Sequence, residues 1–194
     1  MKKLILNTVL VLAITTAAVA QTKKYEIKSG IVTFETTVKM SGITIVTKYI
    51  VYFDDYGTKE CKETYDAKGK IKEWFFSDGK DLYGVYFVLK EAYNRGKPYR
   101  GTEMPFSWNQ VSAKDQQSGK YKKVPNVTVA GKNCEAFEMY DTNGKTRFAG
   151  WNHITLLIEL TSKDMSSVAR AVKVEENVKV PADKFTIPAG FALK

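Results

Sequence analysis

Histidine is nearly missing from this chain, with His153 alone among 194 residues, and cysteine occurs only at Cys61 and Cys134. One His and two Cys do not make a closed zinc set. His153 stands between Trp151-Asn152 and an apolar run from Ile154, has no partner at catalytic or ligating spacing, and reads as a structural or surface residue. The chain also lacks a phosphate loop, a dinucleotide fingerprint, a calcium loop, a His-Glu-x-x-His helix and a Cys-x-x-Cys pair. Ser29-Gly30 and Ser41-Gly42 are not in a Gly-x-Ser-x-Gly context. Asp54 and Asp55 precede Gly57 and read as a turn, because adjacent strand residues point to opposite faces. These absences call for no cofactor, metal or catalytic residue, and the chain is not read as an enzyme.

Long apolar runs are missing after the first twenty residues, so no stable transmembrane anchor is expected. Those twenty have the three parts of a cleavable secretory signal. Lys2 and Lys3 are the charged start, Leu4 to Ile14 the apolar stretch, and Ala18-Val19-Ala20 the small residues before the cut. Position 21 is Gln, so the cut leaves no cysteine to carry a lipid. We expect export to the periplasm, with secretion as the alternative, and one domain over residues 21–194. The formal charge of +9, two of it in Lys2 and Lys3, is dispersed among acids and suits mildly anionic surfaces. Nucleic acid is excluded as a partner class, since there is no basic helix or binding motif. Lys120, Lys122 and Lys123 form the nearest approach to a basic patch and read as a solvated turn.

What the chain does have is strand patterning. Ile31 to Met40 alternates, and Ile43 to Phe53 is apolar on both faces. Turn signals at Asp54-Gly57, Asp66-Gly69 and Ser77-Lys80 then separate Thr58 to Tyr65, Ile71 to Phe76 and Leu82 to Leu89. Residues 25–89 therefore read as an antiparallel meander of about five strands. From Lys90 to Pro125 the pattern fails, and the stretch reads as a lid, a short helix or both, with Ser107 to Gln117 as its helical piece. Strands resume at Val127 to Val129, Cys134 to Tyr140, Lys145 to Trp151, Ile154 to Leu160 and Val168 to Val174. The fold class expected is mainly β, a strongly curved antiparallel sheet or incomplete barrel of about 9–11 strands with one or a few short helices on its concave face. Cys61 and Cys134 are either bridged or two buried free thiols.

The chain is also rich in aromatics, with eleven Tyr, ten Phe and three Trp. A curved sheet that carries so many needs an internal helix or a bound apolar molecule to cover them. Tyr49, Tyr52, Trp74, Phe76, Tyr86 and Phe87 are the candidate walls of such a hollow, although a solid core would use the same residues. Trp108 is either a core plug or the cover of the hollow.

The tail, Val180-Pro181-Ala182-Asp183-Lys184-Phe185-Thr186-Ile187-Pro188-Ala189-Gly190-Phe191, resembles the closing segment of periplasmic proteins with the lipoprotein-carrier fold, the outer-membrane lipoprotein-sorting-like superfamily. Gly131 to Glu135 and Trp151 to Leu156 resemble stretches of small exported domains of the same kind. Gly30 to Phe34 and Tyr52 to Gly57 are similar to segments of exported proteins from Bacteroidetes-like bacteria. The resemblance implies a curved sheet over a few helices, enclosing an apolar cavity that receives acyl chains. Such a cavity spares each methylene a cost of about 0.8 kcal/mol in water. Three functions remain open at this level. First stands an envelope protein that holds a lipid or other apolar ligand, then a non-catalytic domain that binds another envelope protein, and last a hydrolase.

Overall fold

The computed structural model describes residues 23–98, 107–142 and 144–194. The signal segment lies outside the described residues. The strands are β1 (Gly30–Met40), β2 (Ile43–Asp54), β3 (Lys59–Tyr65), β4 (Ile71–Ser77), β5 (Leu82–Tyr86), β6 (Glu91–Asn94), β7 (Tyr121–Val129), β8 (Lys132–Asp141), β9 (Gly144–Trp151), β10 (Ile154–Ser162), β11 (Met165–Glu176) and β12 (Ala192–Leu193). Among the described residues one short helix, α1 (Ala113–Gln117), and three 3-10 turns accompany them.

All twelve strands form one sheet in the order β12-β6-β5-β4-β3-β2-β1-β11-β10-β9-β8-β7, which does not close into a barrel. Two antiparallel meanders, β1 to β6 and β7 to β11, meet where β1 pairs with β11 along its whole length. The second meander curls, and Arg170 on β11 reaches across to donate to the Thr128 carbonyl on β7 at 3.1 Å. Among the described residues only β12 pairs in parallel, against β6.

Local chemistry explains the hairpins. Ser41 and Gly42 both have positive φ (51° and 77°), the two-residue turn whose twist matches flanking strands. Asp66 Oδ1 accepts from the backbone N–H of Lys68 and Lys70, and Asp78 Oδ1 from Lys80 and Asp81, which closes the next turns.

The structure differs from the sequence reading in its count and its margins. β6 and β12 are too short for an alternation signal, and β7 begins at Tyr121 in spite of Pro125. Pro125 is tolerated because β7 is an edge strand, and its register shifts between Val124 and Val127. The fifth strand stops at Tyr86, leaving Val88 and Leu89 exposed in a turn. The expected helix over Ser107 to Gln117 divides into a 3-10 turn at Trp108–Gln110 and α1, whose N-cap Ser112 accepts from the Asp115 N–H.

The apolar residues form two cores rather than one hollow. Registers place Ile31, Tyr52, Cys61, Phe76 and Tyr83 on one face, here the far face, since residues directly opposite in a ladder point the same way. Val32, Val51, Lys62, Phe75 and Gly84 share the near face. The first core joins near-face Val32, Phe34 and Phe53 to Cys134, Ala136, Ala149 and Leu157 of the second meander, with Tyr25 and Ile27 over it. The second core lies on the far face of β2 to β6. β2, apolar on both faces in sequence, carries residues for both cores.

Cys61 and Cys134 belong to different cores and are both buried free thiols, so of the two alternatives the bridge is not the one formed. A Cβ at Gly30 would stand 2.6 Å from the Phe53 ring and 2.7 Å from the Glu175 carbonyl oxygen, so β1 can sit between them only as glycine. We expect Gly30→Ala to lower unfolding free energy by about 1–3 kcal/mol, measured by urea titration. An unchanged midpoint would contradict the close packing at this junction.

Candidate functional site

The far face of β2 to β5 carries Tyr52, Cys61, Trp74 and Phe76, and Phe87 follows β5 on the same cluster. These are the residues of an apolar wall, and the chain covers them itself. After β11 the last eighteen residues form a strap across this face. It starts at Asn177, whose N–H bonds the Ser29 carbonyl while the Ser29 hydroxyl donates to Val178 O. Pro181 leads into a 3-10 turn over Ala182–Phe185, and Val180 and Phe185 are buried against the wall. Phe191 stands edge-on to Phe87, which stands edge-on to Trp74, both at 5.1 Å between ring centres. The strap ends as β12, with Ala192 N–H on Lys90 O and Lys194 N–H on Ala92 O.

A buried ion pair clasps the strap. The Glu63 side chain is 1% exposed and Lys184 Nζ lies 2.7 Å from its Oε2. The Tyr65 hydroxyl donates to Glu63 Oε1 at 2.9 Å. The Lys184 ammonium also faces the rings of Tyr52 at 4.7 Å and Trp74 at 4.8 Å. A carboxylate and two ring faces thus surround one cation, an arrangement that strengthens as water leaves. Burial, and after it the Glu63 carboxylate, pushes the Cys61 thiol up to about 12. Burial and the hydrogen bond to Glu63 push Tyr65 up to about 12.

The seven candidate wall residues separate. Tyr52, Trp74, Phe76 and Phe87 come together under the strap. Tyr49 is on the near face, stacked on Phe34 at 4.5 Å. Tyr86 is also on the near face, between Phe75 and Tyr93, and accepts from Arg95 Nη2 at 2.8 Å. Trp108 belongs to neither core; it is half-buried, and its backbone N–H donates to Glu135 Oε2 at 3.0 Å.

Glu63, Tyr65 and Lys184 escaped the sequence reading. The available signal was a carboxylate between Cys61 and Tyr65 at two-residue spacing, which puts it on an apolar strand face.

The remaining singled-out residues do ordinary work. Asp54 Oδ1 accepts from the Asp55 N–H, and Lys123 pairs with Glu135 at 2.8 Å. His153 lies in the β9–β10 turn, 3.6 Å from Glu26. Among the described residues no three His, Cys, Asp or Glu side chains converge as a metal set, and no helix is long and apolar enough to cross a membrane.

Apolar surface is left open at the end of the β1–β2 hairpin, where Met40, Ile43, Ile45 and Val46 are 52%, 62%, 50% and 57% exposed. Between this hairpin tip and that of β10–β11 runs an open groove of about 300 Å³, lined by Lys39, Met40, Lys163, Asp164 and Met165.

No family model and no curated protein matches the sequence. The fold is shared with an uncharacterised conserved protein from Thermus thermophilus, at 5% identity, over 89% of this chain and 93% of that one, with a TM-score of 0.59. MucB of Pseudomonas aeruginosa, in its complex with MucA, matches at 12% identity over 86% of this chain, with a TM-score of 0.50; the chain spans 58% of that protein's length. A LolA superfamily protein from Nitrosomonas europaea matches at 11% identity over 84% of this chain and 92% of that one, with a TM-score of 0.39. The LolA-like fold expected from the tail is thus among the matches.

Lys184→Met leaves Glu63 buried without its cation and is expected to cost about 3–5 kcal/mol in urea unfolding, while Glu63→Gln in the same chain restores a large part. Additive losses would contradict the clasp. In the folded chain Cys61 and Tyr65 hold their protons to about 12, against ordinary values of 9.0 and 10.0. The unfolded chain sheds these protons first, so the stability they contribute is complete below pH 9 and falls as pH rises toward 12. A thiol reagent at about pH 8 is expected to label neither cysteine in the native protein and both in urea.

Proposed function

We propose that residues 1–20 export this chain and that it works in the cell envelope as a non-catalytic, protein-binding domain. One observation carries the reading. The wall that a lipid or acyl chain would need is packed by the chain's own strap, whereas the apolar surface left open lies on an exposed hairpin end. The reading that placed a lipid in the hollow needs the strap to leave, and with it the Lys184–Glu63 pair to break. Fold-level likeness to MucB, a protein found in complex with another protein, agrees with the protein-binding reading. So does the dispersal of charge, which offers no nucleic-acid surface.

The test is native mass spectrometry of protein purified from the envelope, together with a photo-crosslinking residue placed at Ile43 or at Ser118. An apo mass and a discrete protein adduct from position 43 alone are expected. A stoichiometric, extractable lipid would return the function to the hollow and overturn this reading.

A further inference from the structure

The hairpin end has an unused backbone as well as an apolar surface. β3 pairs with β2 only from Tyr49 onward, so among the described residues Ile43 to Lys48 has a neighbour on one side, β1, and none on the other. The two-residue turn decides which groups are free. In such a hairpin the residues flanking the turn, Met40 and Ile43, exchange both backbone hydrogen bonds. Ile43, Ile45 and Thr47 therefore point N–H and C=O toward β1, and Thr44, Val46 and Lys48 point theirs outward. Natural sheets cover or charge such an edge. Here it runs Ile-Thr-Ile-Val-Thr-Lys, strongly strand-forming and open.

The two faces of this edge differ. On the near face Val38, Met40, Ile43, Ile45 and Met165 adjoin, because Met40 is opposite both Ile43 and Met165, and Val38 is opposite Ile45. On the far face Val46 stands between exposed Lys39 and Lys48. We infer that Ile43 to Lys48 is a strand-addition site that takes an extended segment of a partner protein, apolar on one face and acidic on the other. This rests on the protein-binding reading above and specifies its mode.

Charge and backbone select that occupant over the others. A second copy paired edge to edge about Val46 would set the Lys48 of each chain opposite Thr44 of the other, one strand away from that chain's Lys39, and so adds cation beside cation. A bilayer could accept the side chains, but the free N–H and C=O groups of Thr44 and Val46 have no partners in hydrocarbon. An added strand satisfies those groups, covers Ile43 and Ile45, and presents acids to the two lysines.

The probe is a blocked, fluorescein-labelled octapeptide alternating valine and glutamate, read by fluorescence anisotropy against the full mature chain. Val46→Pro removes one outward N–H and leaves the β1 ladder intact, and Val46→Thr keeps the N–H. We expect Val46→Pro to weaken binding about tenfold or more and Val46→Thr to stay within about twofold. A valine-lysine octapeptide is expected to bind about tenfold more weakly or worse than the valine-glutamate one. Urea midpoints confirm that each variant folds.

Equal binding by Val46→Pro and wild type, or no preference for glutamate, overturns the proposal. Loss of binding in Ile43→Glu/Ile45→Glu with none in Val46→Pro keeps the docking surface but rejects strand addition. No change in either variant rejects the surface itself, and with it the protein-binding reading. A dimer in sedimentation equilibrium that Val46→Pro abolishes assigns the edge to a second copy. Binding only to anionic phosphatidylglycerol vesicles assigns the end to a membrane, and either result overturns the proposal.

Discussion

Glu63 lies on an apolar strand face with 1% of its side chain exposed, where an ionised carboxylate without a counter-ion would be several kcal/mol out of place. The counter-ion comes from Lys184, 121 residues later in the chain, and it brings the strap with it. Once the ammonium is seated between Tyr52, Trp74 and the carboxylate, Val180 and Phe185 are carried onto the wall. The far-face core, the seating of Phe191 on Phe87 and the parallel β12 edge all follow from that placement. An apolar residue at position 63 could have packed here as well. The pair instead fixes which part of the tail stands over which part of the wall.

The second constraint is the long β1–β11 junction. It joins two meanders into one sheet and leaves β1 and β2 serving both faces. Gly30 at its start, between the Phe53 ring and the Glu175 carbonyl, shows how closely the strands approach there. A sheet with cores on both faces has less surface to offer a ligand than the single hollow inferred from aromatic content. Its open places are margins, and the hairpin end beyond the reach of β3 is the most apolar of those described above.

Much of the fold was legible because alternation and turn chemistry agree. Asp66 and Asp78 close the turns their sequences announce, and β1 through β4 lie within a residue or two of the expected runs. What was lost had physical causes. β6 and β12 are too short to show a period, Pro125 is harmless only because β7 turned out to be an edge, and neither fact is local. The candidate site was half legible. Tyr52, Trp74, Phe76 and Phe87 do share one surface, while Tyr49 and Tyr86 fell on the other face by the parity of register, which a strand apolar on both sides does not declare. The tail resembles the closing segment of the lipoprotein-carrier fold, but that it would be the occupant of the hollow required a counter-ion for Glu63 from 121 residues away, which no local pattern announces. Sequence placed lipid holding ahead of protein binding; because the strap packs the wall, we propose the opposite order.

The strap is part of the folded core, and the hollow is closed by it. Native-state hydrogen exchange of the unmodified protein tests this most directly, by following the amides of Lys184, Thr186, Ala192 and Lys194, all of which donate in the structure, beside those of β3 and β4. A strap that belongs to the core gives the Lys184 and Thr186 amides the protection of the β3 and β4 amides. Rapid exchange of all four strap amides while β3 and β4 stay protected would show a strap that leaves the wall on its own, and would contradict the closed hollow.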